Sequence, residues 1–93
     1  MLPQYVYCMS NPSLGKDIYK IGKSRNPKIR QKELSNTSLP TPFSIEFIIE
    51  TDDASQLEKD IHNYINDFRV NKNREFFKIE IETLKDIIEI NIQ

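Results

Sequence analysis

Residues 5–30 constrain the fold of this chain most, because their pattern predicts two strands followed by a helix. In residues 4–9, Val6 and Cys8 fall on one face and Tyr7 on the other, which is the period of two that a strand requires. A second alternating segment covers residues 17–22, after a short connection rich in turn-forming residues. A connection this short favours an antiparallel pair, so we expect Tyr7 and Lys20 on one face.

A helix is predicted to begin just after the second strand. Asn26 is a favourable N-cap, and Pro27 suits the first helical position because its missing amide hydrogen is not needed there. Arg30 then lies about one turn inside the helix, and its forked, permanently charged donors suit phosphate oxygens. The segment therefore brings Tyr7, Lys20 and Arg30 towards one candidate phosphate site.

The rest of the chain predicts further strands and helices. Residues 43–50 alternate clearly as a strand, Asp53 offers a cap for a helix to about residue 68, and residues 75–79 form a short strand. Residues 82–90 favour a terminal helix, although isoleucines 88, 90 and 92 also alternate as in a strand. The middle helix has an apolar stripe at Ala54, Leu57, Ile61, Tyr64, Ile65 and Phe68. Glu58 and His62 lie one turn apart at its edge.

Charge is concentrated in one part of the sequence. The 93 residues carry a formal net charge of −1, which argues against a general nucleic-acid coat. Residues 16–32 nevertheless contain seven basic side chains and a single acidic one, Asp17. A local cationic surface of this kind suits a short phosphate contact. A chain of this length predicts one domain with one core.

Several classes of protein are disfavoured by composition. Cys8 is the only cysteine, so an intrachain disulfide is excluded and a buried structural thiol in a reducing compartment is expected. No apolar run approaches the roughly 18 residues of a membrane helix, and no signal peptide begins the sequence, so we expect an intracellular protein without a membrane partner. No glycine-rich phosphate loop is present, so no nucleotide cofactor is expected.

The ordered motifs also carry a family resemblance. The sequence reads YVYCMSNP, YKIGKS, ELSNTSLPTPF, LEKDIH and NREFF. This series resembles the GIY-YIG endonuclease superfamily, in particular a small branch found in phages, bacteria, large DNA viruses and fungi. Tyr5 stands where the superfamily usually has glycine, and Lys20 where many members have the second tyrosine. The resemblance implies one nuclease domain over residues 1–93, with an α/β fold in which a small, mainly antiparallel sheet is flanked by helices in the order β-β-α-β-α-β-α.

The resemblance also implies roles for individual residues. Tyr7 would accept a proton from water or only orient it, Lys20 and Arg30 would neutralise the phosphate, and Glu58 would hold Mg²⁺ or Mn²⁺. His62 would act next to the catalytic groups. The substrate-binding residues would be Lys23, Arg25 and Lys28.

Each site residue, taken alone, also has a structural interpretation. Tyr7 could be a packing residue, Arg30 a solvated residue paired with Glu33, and His62 a satisfied core histidine. Glu75 is expected to pair with a basic residue.

The sequence as a whole favours a metal-dependent DNA endonuclease. The alternatives are a nucleic-acid-binding module of the same fold without catalysis, and a protein-interaction domain. Because so small a domain has little surface for reading bases, sequence specificity would need a homodimer or a partner.

Overall fold

A computed structural model describes residues 2–35, 39–71 and 75–92 of the chain. The strands in this part are β1 (Gln4–Ser10), β2 (Ile18–Ser24), β3 (Ser44–Thr51) and β4 (Phe76–Lys78). The α-helices are α1 (Pro27–Ser35), α2 (Ala54–Tyr64) and α3 (Ile81–Asn91), and 3-10 turns occupy Pro12–Leu14 and Asn66–Phe68. This order confirms the predicted α/β arrangement.

The four strands form one antiparallel sheet in the order β3-β1-β2-β4. In the register of β1 and β2, Tyr7 pairs with Gly22 and Met9 pairs with Lys20. Residues paired across a sheet point to the same face, and alternate residues of one strand share that face. Tyr7 and Lys20 therefore lie on one face, as predicted.

The two faces of the sheet bury separate apolar clusters. On the face covered by α2 and α3, the buried side chains are Val6, Cys8, Ile21, Ala54, Leu57, Ile61, Ile65, Phe77, Ile79 and Leu84. On the other face the buried cluster is Tyr7, Met9 and Phe43, with Leu34 of α1 packed against it. The sequence pattern placed Val6 and Cys8 opposite Tyr7, and the structure confirms this.

The middle helix is shorter than the sequence predicts. It ends at Tyr64, and the chain then turns through Asn66–Phe68 as a 3-10 helix. Tyr64, the last residue of α2, is 50% exposed, and Phe68, at the end of the 3-10 turn, is 40% exposed. Their assignment to the apolar stripe was therefore wrong, whereas the other four members are buried.

The C-terminal segment is the helix α3, with Leu84 fully buried, so the alternative strand is excluded. No helix among the described residues is long and apolar enough to cross a membrane. The sequence motifs ELSNTSLPTPF and NREFF lie partly outside the described residues.

Hydrogen bonds, more than burial, attach α1 to the rest of the fold. Its only buried residue is Pro27. The carboxamide of Gln31 donates to the carbonyl oxygen of Phe43 at 2.8 Å, and the hydroxyl of Ser35 accepts from the Phe43 amide at 3.0 Å. At the start of the helix, the side chain of Asn26 accepts from the amide of Ile29 at 3.2 Å, which confirms the predicted cap.

Candidate functional site

The candidate site lies where β2 continues past the end of β4. Strand β4 pairs with β2 only through residues 18–20, whereas β2 extends to Ser24. The Ile21 amide donates to the Glu75 carbonyl oxygen at 3.0 Å, and the Ile21 carbonyl oxygen lies 2.9 Å from Nε2 of His62. We call residues 21–24, together with the side chains that border them, the open edge of β2, because β4 does not pair with these four residues.

Glycine at position 22 lets the phenol of Tyr7 reach across β2. A Cβ atom built on Gly22 would stand 2.6 Å from Cζ of Tyr7 and closer still to the hydroxyl oxygen. Any larger residue would therefore collide with the ring. The Arg30 guanidinium, which can only donate, is the hydrogen-bond partner of the phenol oxygen. Gly22 thus makes room for a contact between β1 and α1.

Tyr7 is 2% exposed and keeps its proton at neutral pH. Burial raises the pKa of its phenol, and the carboxylates of Glu75 and Glu58 add to this rise, while the hydrogen bond from Arg30 lowers the pKa. The net shift is upwards because desolvation outweighs the cation. The free protein therefore holds Tyr7 as the neutral phenol, and the choice between a proton acceptor and a group that only orients water stays a prediction.

Lys20 is held by an acidic partner at the same edge. Its Nζ lies 3.0 Å from Oε2 of Glu75 and 5.1 Å from the centre of the Phe76 ring. The Lys20 side chain is 12% exposed, against 42% for Glu75. Glu75 therefore pairs with a basic residue, as expected, but that residue belongs to the candidate site.

Glu58 approaches the open edge from α2. Burial raises the pKa of its carboxyl group, and the Glu75 carboxylate raises it further, while His62, Lys23 and Lys20 lower it. Glu75 and Lys20, which form an ion pair, therefore both act on the carboxyl group of Glu58. The Glu58 charge in turn raises the pKa of Tyr7. The structure brings Tyr7, Lys20, Arg30 and Glu58 into one charged neighbourhood, and their chemical roles stay predictions.

His62 satisfies the backbone of β2 at the point where β4 ends. Because a carbonyl oxygen only accepts, Nε2 carries the proton in the contact with Ile21. The ring also packs against Phe77, with 5.1 Å between ring centres. This placement gives His62 a structural contact beside the open edge, and its role next to the catalytic groups stays a prediction.

The predicted substrate-binding residues lie on β2, on α1 and on the segment that joins them. Nζ of Lys23 donates to the hydroxyl of Ser55 at 2.7 Å, which ties the open edge to the start of α2. Arg25 lines a cavity of about 300 Å³ together with Lys23 and Ser55. Lys28 is exposed on α1. Sequence reasoning missed Ser55 and placed Glu75 outside the site, because neither the β2–β4 pairing nor the packing of α2 is visible in the sequence.

The fold and the site together define a small α/β domain in which basic side chains of β2 and α1 lie beside Glu58 and Glu75. The chain belongs to the T5orf172 domain family, whose model matches residues 4–91. It is also 35% identical over 72 residues to a KilA-N domain-containing protein of Invertebrate iridescent virus 6. That alignment covers 75% of this chain and 30% of the viral protein, so the chain spans about a third of its relative. No solved structure matches.

These matches correct the family assignment made from the motifs. The GIY-YIG endonuclease superfamily was the wrong assignment, because the matching family model is that of the T5orf172 domain and the viral relative is named for a KilA-N domain. Two characteristic positions already departed from that superfamily, with Tyr5 in place of glycine and Lys20 in place of tyrosine. The residues that the motifs share with that superfamily lie in a pair of strands and at the start of a helix.

Proposed function

We propose that this chain is a nucleic-acid-binding module that binds the backbone of DNA at the open edge of β2 and hydrolyses a phosphodiester bond there. The T5orf172 family match and the KilA-N relative support nucleic-acid binding. Cleavage and the choice of DNA are proposals from the site itself. The observation that most supports cleavage is that Arg30 of α1, Lys20 of β2 and Glu58 of α2 lie together at the open edge.

Binding in this proposal begins with the two cations. Arg30 on α1 and Lys20 on β2 would contact the oxygens of one phosphate, since a guanidinium and an ammonium both form short, charge-assisted hydrogen bonds to phosphate. Arg30 has a second partner in Glu33, at 3.4 Å, but both side chains are well exposed and such a pair is weak. The pair therefore presents little obstacle to a phosphate.

Tyr7 is proposed to act through Arg30. Its ring is part of the apolar cluster with Met9 and Phe43, and its phenol accepts a hydrogen bond from the guanidinium. A protonated phenol that is 2% exposed is well suited to fixing the position of Arg30 and poorly suited to removing a proton from water. The raised pKa thus counts against Tyr7 as the acceptor of a proton from water, which was the first alternative from the sequence.

The donor atoms at Glu58 fit one mode of magnesium binding. Glu58 is a partly desolvated carboxylate with a second carboxylate, Glu75, close enough to raise its pKa, and a hard cation would relieve both effects. No group of three or more metal-binding side chains occurs among the described residues. Mg²⁺ commonly binds through one or two carboxylates plus substrate phosphate, which is the mode that this site could offer. Such a cation would supply Lewis-acid stabilisation of the phosphate charge.

A nucleic-acid-binding module without catalysis is the second candidate. The burial of Tyr7 and the raised pKa of its phenol favour it, because they remove one predicted base. Both candidates use the same cations, so both predict that DNA affinity falls with salt, with a slope of about −0.9 per phosphate contacted.

A plasmid assay separates the two candidates. Purified protein is incubated with supercoiled plasmid and Mg²⁺ or Mn²⁺, with EDTA as the control. Nicking that EDTA abolishes is expected for the enzyme, and binding without nicking supports the second candidate.

A Glu58→Gln variant then tests the metal role. It should lose nicking while it binds DNA as well as the wild type or slightly better, because an amide is a poor ligand for a hard cation and does not repel phosphate. Glu50→Gln is the matched control, since Glu50 is an exposed glutamate on β3 at the opposite edge of the sheet. If Glu58→Gln nicks at the wild-type rate, Glu58 holds no essential metal.

A further inference from the structure

We infer that Glu75 is a positioning residue that holds the Lys20 ammonium at the open edge in the free protein and is displaced from it by a backbone phosphate. The inference rests on the proposed function, because it takes the phosphate of a nucleic acid as the ligand. It assigns Glu75, which the motif comparison left outside the site, a part in binding.

The ion pair fixes Lys20 much more firmly than it fixes Glu75. The Lys20 side chain is 12% exposed, and its ammonium lies between the carboxylate and the face of Phe76. The Glu75 side chain is 42% exposed, so its carboxylate can return to water at little cost. Lys20 is therefore the fixed partner and Glu75 the replaceable one.

The main chain keeps Glu75 beside the edge while its side chain changes partner. The carbonyl oxygen of Glu75 accepts from the amide of Ile21 at 3.0 Å, directly before the first residue of β4. A carboxylate that leaves Lys20 thus remains close to the site.

The charge of Glu75 acts on the whole site. Glu75 raises the pKa of Tyr7 and that of Glu58 more than any other charged neighbour does, although the two groups lie on different elements. A phosphate at Lys20 and Arg30 would experience the same negative charge as repulsion. Glu75 therefore orders the ammonium before binding and opposes the anion that replaces it.

This arrangement predicts that affinity and turnover change in opposite directions when the charge is removed. In Glu75→Gln the side chain keeps its size and an acceptor oxygen, but it no longer repels phosphate. At a separation of about 4 Å in water, two unit charges interact enough to change an equilibrium about fivefold, so DNA should bind about fivefold tighter at low salt. Turnover should fall by up to about fivefold, because no carboxylate remains to take the ammonium back from the product phosphate, and release of the product slows.

The experiment measures binding by fluorescence anisotropy of a labelled DNA duplex and cutting by plasmid nicking. Glu82→Gln is the matched control, because Glu82 pairs with Lys85 at 3.9 Å on α3 and its loss also removes one charge and one ion pair. The control should leave affinity and turnover within about twofold of the wild type.

A Lys20→Met background tests whether Glu75 acts through Lys20. There, Glu75→Gln should have little further effect on turnover, since no ammonium remains to be positioned. An equal effect of Glu75→Gln in both backgrounds would overturn the inference. An unchanged or weaker DNA affinity of Glu75→Gln would also overturn the inference. A failure of that variant to fold would overturn it too, because Glu75 would then be a structural residue.

The results also separate this inference from the proposed function. If the wild type binds no DNA, the proposed function fails. If the wild type binds without cutting, only cleavage fails, and the anisotropy comparison still decides the role of Glu75. If the wild type binds and cuts while Glu75→Gln matches it in both assays, only the inference about Glu75 fails.

Discussion

Replacing Gly22 by alanine should destabilise the protein through a collision with Tyr7. The new Cβ would stand 2.6 Å from Cζ, whereas non-bonded carbon atoms prefer about 3.5–4.0 Å, so one of the two must move by about 1 Å. Tyr7 is 2% exposed and packs with Met9 and Phe43, which leaves the ring little room to withdraw.

Two opposing effects set the size of the loss. Overpacking a well-packed core costs about 1–3 kcal/mol. Gly22 does not need a left-handed backbone, so alanine should also stabilise the fold by about 0.4–1 kcal/mol through the unfolded chain. We therefore expect the free energy of unfolding of Gly22→Ala to fall by about 1–2 kcal/mol, and its Tm by about 4–8 °C for each kcal/mol.

Denaturant unfolding of a double-mutant cycle tests the cause. The nearest atom to the new methyl group is the phenol oxygen, so Tyr7→Phe should reduce the cost of Gly22→Ala by about 0.5–1 kcal/mol, while the remaining ring contact keeps the relief partial. Gly15→Ala is the control, because its cost comes from a φ of 105° and its new Cβ would lie 3.6 Å from Ile18. Its cost should not depend on Tyr7. A Gly22→Ala variant as stable as the wild type, or strict additivity with Tyr7→Phe, would refute the explanation.

Three further predictions concern buried groups. Burial raises the pKa of the Cys8 thiol to about 12, so the folded protein should resist a thiol reagent at mildly alkaline pH and react only at the rate of unfolding; rapid reaction would mean that Cys8 is accessible. Folding raises the pKa of Tyr7, so the protonated phenol contributes to stability below about pH 10, and this contribution is lost as the pH rises above that value. In alkaline denaturation curves, Tyr7→Phe should therefore lose less stability with rising pH than the wild type. His62→Ala should lower the free energy of unfolding by about 1–3 kcal/mol, because it leaves the Ile21 carbonyl without its partner, and an unchanged melting temperature would argue against this role.

Local patterns in the sequence predicted most of the fold. The alternation in β1 and β2 gave their pairing and the shared face of Tyr7 and Lys20, and the Asn26-Pro27 pair gave the start of α1. The end of α2 was missed because Tyr64 and Phe68 continue the helical spacing although the backbone has changed to a 3-10 turn. The spacing of apolar residues indicates which residues could form one face of a helix, but it does not indicate where an α-helix ends and a 3-10 helix begins.

The candidate site was predictable only in its local parts. Tyr7, Lys20 and Arg30 follow from strand and helix phase within one continuous segment. The pairing of Lys20 with Glu75 joins residues 55 positions apart, through a strand of three residues whose partner the sequence does not specify. The upward shift of the Tyr7 pKa could not be predicted from the sequence, because desolvation depends on packing from both sides of the ring.

The weak attachment of α1 has a consequence for the motions of this protein. Arg30 lies on a helix that has one buried residue and is joined to the loop at Phe43 by two hydrogen bonds, one donated by Gln31 and one accepted by Ser35. Elements with few buried contacts open at a lower free energy than the core. The amides of α1 should therefore exchange with deuterium sooner than those of β1. A bound phosphate that joins Arg30 to Lys20 would add a second connection from this helix to the sheet, beside the contact of Arg30 with Tyr7, and slower exchange in α1 would report ligand binding without any change in the core.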